Sequence, residues 1–126
     1  RTLYVGNQFD ATVSVVDAAS CNAEATTGCG DRMPAIPVGY APQSGQALDH
    51  LTHTLFVING GSDTVSAVDV THCHASDSSR CSGRSPTIQV GEAPNWIVLD
   101  PATQTLYLPE QWDADVTVLD ATSCAA

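Results

Sequence analysis

Three observations predict an all-β chain assembled from a repeated unit. The run Thr2-Leu3-Tyr4-Val5 returns as Thr54-Leu55-Phe56-Val57 and again as Thr105-Leu106-Tyr107-Leu108, at offsets of 52 and 51 residues. The same offsets relate Asp17, Asp69 and Asp120, and Cys21, Cys73 and Cys124, while Gly39 and Pro42 recur as Gly91 and Pro94. The segments between turn residues are short and rich in Val, Ile, Thr and aromatics, and none sustains a helical period. A period of about 50 residues made of such segments signifies repeated small sheets.

The elements follow in order. In the first unit (residues 1–41), strands are expected at 2–7, 12–17 and 34–38. The second unit (42–93) has candidates at 45–49, 54–59, 64–69 and 86–90, and the third (94–126) at 95–100, 105–108 and 116–120. Asp49-His50, Asn59-Gly60-Gly61, Ser82-Gly83, and Gly91 with Pro94 supply the turns of the second unit. Residues 64–69 alternate, with Val65, Ala67 and Asp69 on one face and Ser66 and Val68 on the other. The stretch from Pro42 to Asp49 is one residue longer than that from Pro94 to Asp100, so a β-bulge is expected near Ser44.

Four strands on short links form an antiparallel meander, one blade of a β-propeller, and stacking of such sheets is what buries their apolar faces. The expected strands amount to about two and a half blades, whereas propellers close with about four to eight. The chain is therefore expected to be part of a longer protein or to be completed by identical subunits. Arg1 in the first position agrees with a cropped or processed chain.

Val38-Gly39, Asp100-Pro101-Ala102-Thr103, the Thr-Leu-Tyr-Val runs and Thr12-Val13-Ser14-Val15-Val16-Asp17 together resemble the YVTN family of β-propeller repeats, over nearly the whole chain. The resemblance implies a secreted or cell-surface propeller, often of seven blades and often without a known activity. Related propellers include lactonases and antibiotic-inactivating lyases, but no catalytic motif of either maps onto positions here. Two departures fall on the innermost strand: Trp96 stands where such repeats place a small residue, and Gln46 where they place an apolar one.

The composition, 43% hydrophobic over 126 residues, is that of a globular chain. Fourteen acidic residues against four arginines give a net charge of −10, which argues against nucleic acid and against an anionic membrane surface. No apolar run approaches the roughly 18 residues of a membrane span, so membrane insertion is not expected.

Cys21 and Cys29 enclose seven residues, Cys73 and Cys81 enclose seven, and both pairs fall between the third and fourth strands of their units. Two local disulfides and an oxidising compartment are the expectation; closing so short a loop contributes roughly 2–3 kcal/mol. Cys124 stands first in a third such pair and is unpaired within the chain. His72-Cys73-His74 with Cys81 offers zinc-ligand types, yet the first unit keeps only its cysteines, so no metal or other cofactor is expected.

Propeller ligands usually bind at the end that carries the links entering the first strand and joining the second to the third. Tyr40, Gln43, Asn95 and Trp96 belong to the entering links. Asn7, Gln8, Phe9, Asp10, Asn59, Ser62, Asp63, Glu110, Gln111, Trp112 and Asp113 belong to the others. Phe9, Tyr40, Trp96 and Trp112, beside Asn95 and Asp113, are the candidate ligand contacts, suited to a glycan by ring faces and hydrogen-bonding edges; the same residues equally suit turn capping and wedging between sheets. Asp17, Asp69 and Asp120 are expected to bond nearby backbone amides, and His50 and His53 to lie on a solvated turn. No nucleophile elbow, phosphate loop or metalloprotease helix is present, which disfavours an enzyme. The expected role is an extracellular, non-catalytic binding or structural scaffold. Alternatives are a carbohydrate-binding module, a self-assembling fibre subunit completed by strand exchange, and a lactonase- or lyase-like enzyme.

Overall fold

The computed structural model describes residues 1–30, 32–112 and 114–126, with the backbone alone described at Gln43 and Ser44. It consists of β1 (Thr2–Asn7), β2 (Thr12–Asp17), β3 (Ala35–Pro37), β4 (Pro42–Asp49), β5 (Thr54–Asn59), β6 (Thr64–Asp69), β7 (Thr87–Gln89), β8 (Val98–Asp100), β9 (Thr105–Pro109) and β10 (Val116–Asp120). No helix occurs among the described residues, so none is long and apolar enough to cross a membrane.

The strands form three antiparallel sheets in which sequence neighbours pair: sheet I is β1-β2-β3, sheet II is β4-β5-β6-β7 and sheet III is β8-β9-β10. Their cores join consecutive sheets. Val13, Val15 and Ile36 of sheet I meet Leu55, Val57 and Val68 of sheet II. Phe56, Ile58 and Val65 of sheet II meet Leu106 and Leu108 of sheet III and Ile97, just before β8. Because side chains alternate along a strand, β5 sends Leu55 and Val57 one way and Phe56 and Ile58 the other, and every residue of it is buried. The expected alternation in 64–69 takes the same form: Val65 and Ala67 pack toward sheet III, Val68 toward sheet I.

The bulge expected near Ser44 lies between Pro42, opposite Asn59, and Gln46, opposite Val57. Residues 43–45 therefore oppose Ile58 alone. Gly45 fits because a Cβ there would stand 2.6 Å from the Ile58 side chain and 3.2 Å from the Trp96 backbone. In sheet III the strand expected at 95–100 is shorter. Pro94 makes an isolated bridge to Glu110 and pairing resumes only at Val98 opposite Tyr107. Residues 95–97 then face Leu108 and Pro109, and Pro109, with no N–H, leaves the ladder one donor short there.

Turn backbone repeats with the sequence. Ala11, Asp63 and Ala114 adopt φ of 51°, 51° and 52°, as do Ala41 and Ala93 at 52° and 53°, and His53 and Gln104 at 52°. Each set obeys the 52 and 51 offsets. These are left-handed conformations that non-glycine residues rarely adopt, so recurrence at three turn positions reflects a common turn geometry rather than local accident. Both expected disulfides are formed, Cys21–Cys29 and Cys73–Cys81, each tying the loop between β2 and β3 or between β6 and β7 to itself. Cys124 is the free cysteine among the described residues.

Candidate functional site: the loop end

The links following β1, β3, β5, β7 and β9 lie at one end of the stacked sheets and are tied to each other. The amide of Val38 donates to the Ala11 carbonyl, Gly60 to Ala41, Gly61 to Tyr40, Val90 to Asp63 and Gln111 to Ala93, at 3.0–3.3 Å. The Asp63 carboxylate also accepts from the Ala93 amide at 2.9 Å, so this acid holds two links together.

Of the candidate ligand contacts, Phe9 is 90% exposed and Trp112 73% exposed, and Tyr40 and Trp96 are also exposed. Asn95 is exposed and its amide donates to the Pro109 carbonyl at 3.5 Å. Asp113 and the Gln43 side chain lie outside the described residues. The Tyr40 ring lies against Gly61, with its Cδ1 2.5 Å from where a Cβ would stand. Trp96 presses its backbone on Gly45. Thus the structure puts the aromatics at the same end but on separate links, Phe9 on sheet I, Tyr40 on the link entering sheet II, and Trp96 and Trp112 on two links of sheet III. Four clefts that the structure describes are lined by other residues.

Three residues that the sequence assigned to the links instead turn inward. Asn7 donates to Thr12 Oγ1 at 3.1 Å and to Ser14 Oγ at 2.8 Å. Asn59, fully buried, donates to Thr64 Oγ1 at 3.1 Å and Ser66 Oγ at 2.9 Å, and Ser66 Oγ accepts the Gly39 amide at 3.2 Å. Glu110, 8% exposed, accepts the Gly91 amide at 2.9 Å and the Thr117 hydroxyl. Asn7, Asn59 and Glu110 obey the repeat offsets, as do Gly39 and Gly91. One polar latch thus recurs, and at two successive junctions it receives the glycine of the entering link. Each glycine is needed because a Cβ at Gly39 would lie 2.5 Å from Asn59 Nδ2, and one at Gly91 would collide with the Glu110 carboxylate. Asn59 Oδ1 is buried without a partner. The offset was the signal that marked these residues; their change from Asn to Glu concealed it.

The opposite end carries the aspartates. Asp17 accepts from the Ala19 amide, Asp49 from Leu51, Asp69 from Thr71, Asp100 from Ala102 and Asp120 from Thr122, all at 2.8–3.0 Å. The expected structural role is thereby met at Asp17, Asp69 and Asp120, and it extends to Asp49 and Asp100. Hydrogen bonds from the Ser123 and Thr122 side chains draw the Asp120 pKa down to about 2. Burial opposes ionisation of Asp49, but bonds from Thr52 and the Leu51 amide outweigh it and its pKa is lowered. His50 is exposed, as expected of a solvated turn. Among the described residues no group of three or more His, Cys, Asp or Glu is placed to hold a metal ion.

No protein-family model matches this chain, and no curated protein matches it. Among solved structures it is similar to hydrazine synthase of Kuenenia stuttgartiensis, with a TM-score of 0.71 and 23% identity. The match covers 98% of this chain and spans 30% of that one. At this identity the likeness is one of fold alone.

Proposed function

We propose that the three sheets are neighbouring blades of a β-propeller of the YVTN type, acting outside the cell as a disulfide-stapled scaffold with a binding or structural role. The observation that carries this reading is the inter-sheet contact made twice in succession. The same positions of the repeat, the glycine latch and the Leu-x-Leu or Leu-x-Val face of the incoming strand, join sheet I to II and sheet II to III. The two disulfides support an oxidising compartment. Glu110 and Asp63 hold backbone amides, which supports a non-catalytic loop end. Partners of such a scaffold are further blades or identical subunits. The chain secreted into an oxidising medium is expected to carry both disulfides on peptide mapping and to leave lactone substrates unchanged. Lactone turnover above background would overturn the non-catalytic reading.

A glycan-binding role is the second reading, favoured by the exposure of Phe9 and Trp112 at one end. A glycan panel tests it: binding that falls at least tenfold in Trp112→Ala with unchanged circular dichroism supports it, and no binding across the panel removes it.

A further inference from the structure

The links of the loop end make one continuous surface. Backbone amides donate from link to link, Val38 to the Ala11 carbonyl, Gly61 to Tyr40, Val90 to Asp63 and Gln111 to Ala93, at 3.0–3.3 Å. These bonds string the links of sheets I, II and III together in order. Phe9, Tyr40, Trp96 and Trp112 stand on that row of links, 90%, 64%, 53% and 73% exposed. Packed sheets lie roughly 10 Å apart, so the row runs on the order of 20 Å from sheet I to sheet III.

The same end is set apart by charge. Among the described residues it carries Asp10, Asp63, Glu92, Glu110 and Asp115 and no basic residue. Asp10, Glu92 and Asp115 are exposed, whereas Asp63 and Glu110 hold backbone amides of the links. All four arginines and all four histidines fall before β1 or on the links after β2, β4 and β6, at the opposite end, and the chain has no lysine. The opposite end mixes its acids with those cations; the loop end does not. An exposed ring face attracts a cation through its quadrupole, and a negative field with no cation in it strengthens that attraction and repels acidic partners. A neutral sugar gains from the ring faces but nothing from the field.

We propose that the loop end binds an extended, arginine-rich segment of a partner protein, its guanidinium groups on the ring faces and beside the exposed carboxylates. Arginine suits the surface because its planar, weakly hydrated head stacks on aromatic rings and stays charged. An extended segment is the occupant because about six residues at roughly 3.3 Å each span the row, whereas a small amine covers one ring. This deepens the binding reading of the loop end and rests on it.

Both tryptophans lie on this surface, so their fluorescence reports occupancy, and titration calorimetry gives the affinity of each variant. Hepta-arginine added to the chain is expected to bind saturably, and hepta-glutamate not at all. The affinity is expected to fall from about 0.1 M to about 1 M salt, as the Debye length shrinks from about 10 Å to about 3 Å. Asp10→Asn is expected to weaken binding by about twofold to fivefold, and Trp112→Ala by about threefold to fivefold. Glu24→Gln removes an exposed acid from the opposite end and is expected to change the affinity by less than about 1.5-fold. Absence of saturable binding overturns the proposal. So does a loss in Glu24→Gln equal to that in Asp10→Asn, which marks general attraction to an acidic chain, or an affinity unchanged in Trp112→Ala. Circular dichroism and disulfide mapping show that each variant is folded. A folded chain that leaves hepta-arginine unbound but takes a neutral glycan through Trp112 removes the basic partner and keeps the binding reading; one that takes neither removes both.

Discussion

At the scale of residues, this chain is governed by small groups that hold turns. The five aspartates at the end opposite the links accept backbone amides, and those bonds favour the charged form. Their folded pKa values lie below the unfolded value of about 4, so their contribution is present above that pH. It is lost as pH falls through the folded values, for Asp120 between about 4 and about 2. Urea midpoints measured across this range are expected to fall with acidification. The slope is expected to be shallower in Asp120→Asn, whose amide oxygen still accepts from the turn but does not titrate. Glycine positions divide by what surrounds them. Gly91→Ala drives a methyl into Glu110 and is expected to cost about 1–3 kcal/mol. Gly30→Ala, with nothing within 4 Å of its Cβ, is expected to stay within about 0.5 kcal/mol by the same urea titration. The offset between Gly39 and Gly91 was legible in the sequence. The reason for it was not, because a Cβ clash depends on a side chain 19 or 20 residues away.

At the scale of elements, β5 is the strand on which the packing turns, since it contributes to both cores. Phe56→Ala removes the largest fully buried side chain and is expected to cost about 3–5 kcal/mol, read as a lower urea midpoint. Phe9→Ala, at a 90% exposed ring, is expected to leave stability within about 0.5 kcal/mol. The disulfides differ in the same way. Cys73 and Cys81 are buried in the first core, whereas Cys21 is half-buried and Cys29 exposed. Thiol–disulfide exchange needs access to sulfur, so graded reductant is expected to open Cys21–Cys29 first, by mass spectrometry of alkylated peptides. All ten strands stand where alternation and turn residues put them, and the bulge stands where the extra residue demanded one. The bounds differ most at 95–100, where the strand starts three residues later, and at 45–49, where it starts three residues earlier; those expected at 34–38 and 86–90 each lose one residue at either end. Periodicity cannot see that Pro109, on the strand facing 95–100, withholds a donor from the ladder.

At the scale of the whole molecule, three sheets that could not bury their apolar faces on their own bury by stacking the faces that meet, and sheet II is covered on both sides. The stack carries a net charge of −10, and like charges oppose a compact form. Salt screens that repulsion, with a Debye length of about 8 Å at physiological ionic strength and about 3 Å at 1 M. The urea midpoint is therefore expected to rise from low to high salt, the reverse of a fold held by opposite charges.

The sequence by itself determined the strand count, the 52 and 51 offsets, the two local disulfides and the turn aspartates, because each is written in residues close together or at a fixed spacing. Only the tertiary structure decided that Asn7, Asn59 and Glu110 turn inward to hold the sheets, that the aromatics stand on separate links, and that each core is built between consecutive sheets. Those outcomes depend on which groups meet across sheets, and such meetings are set by packing between residues far apart in the chain rather than by local preference.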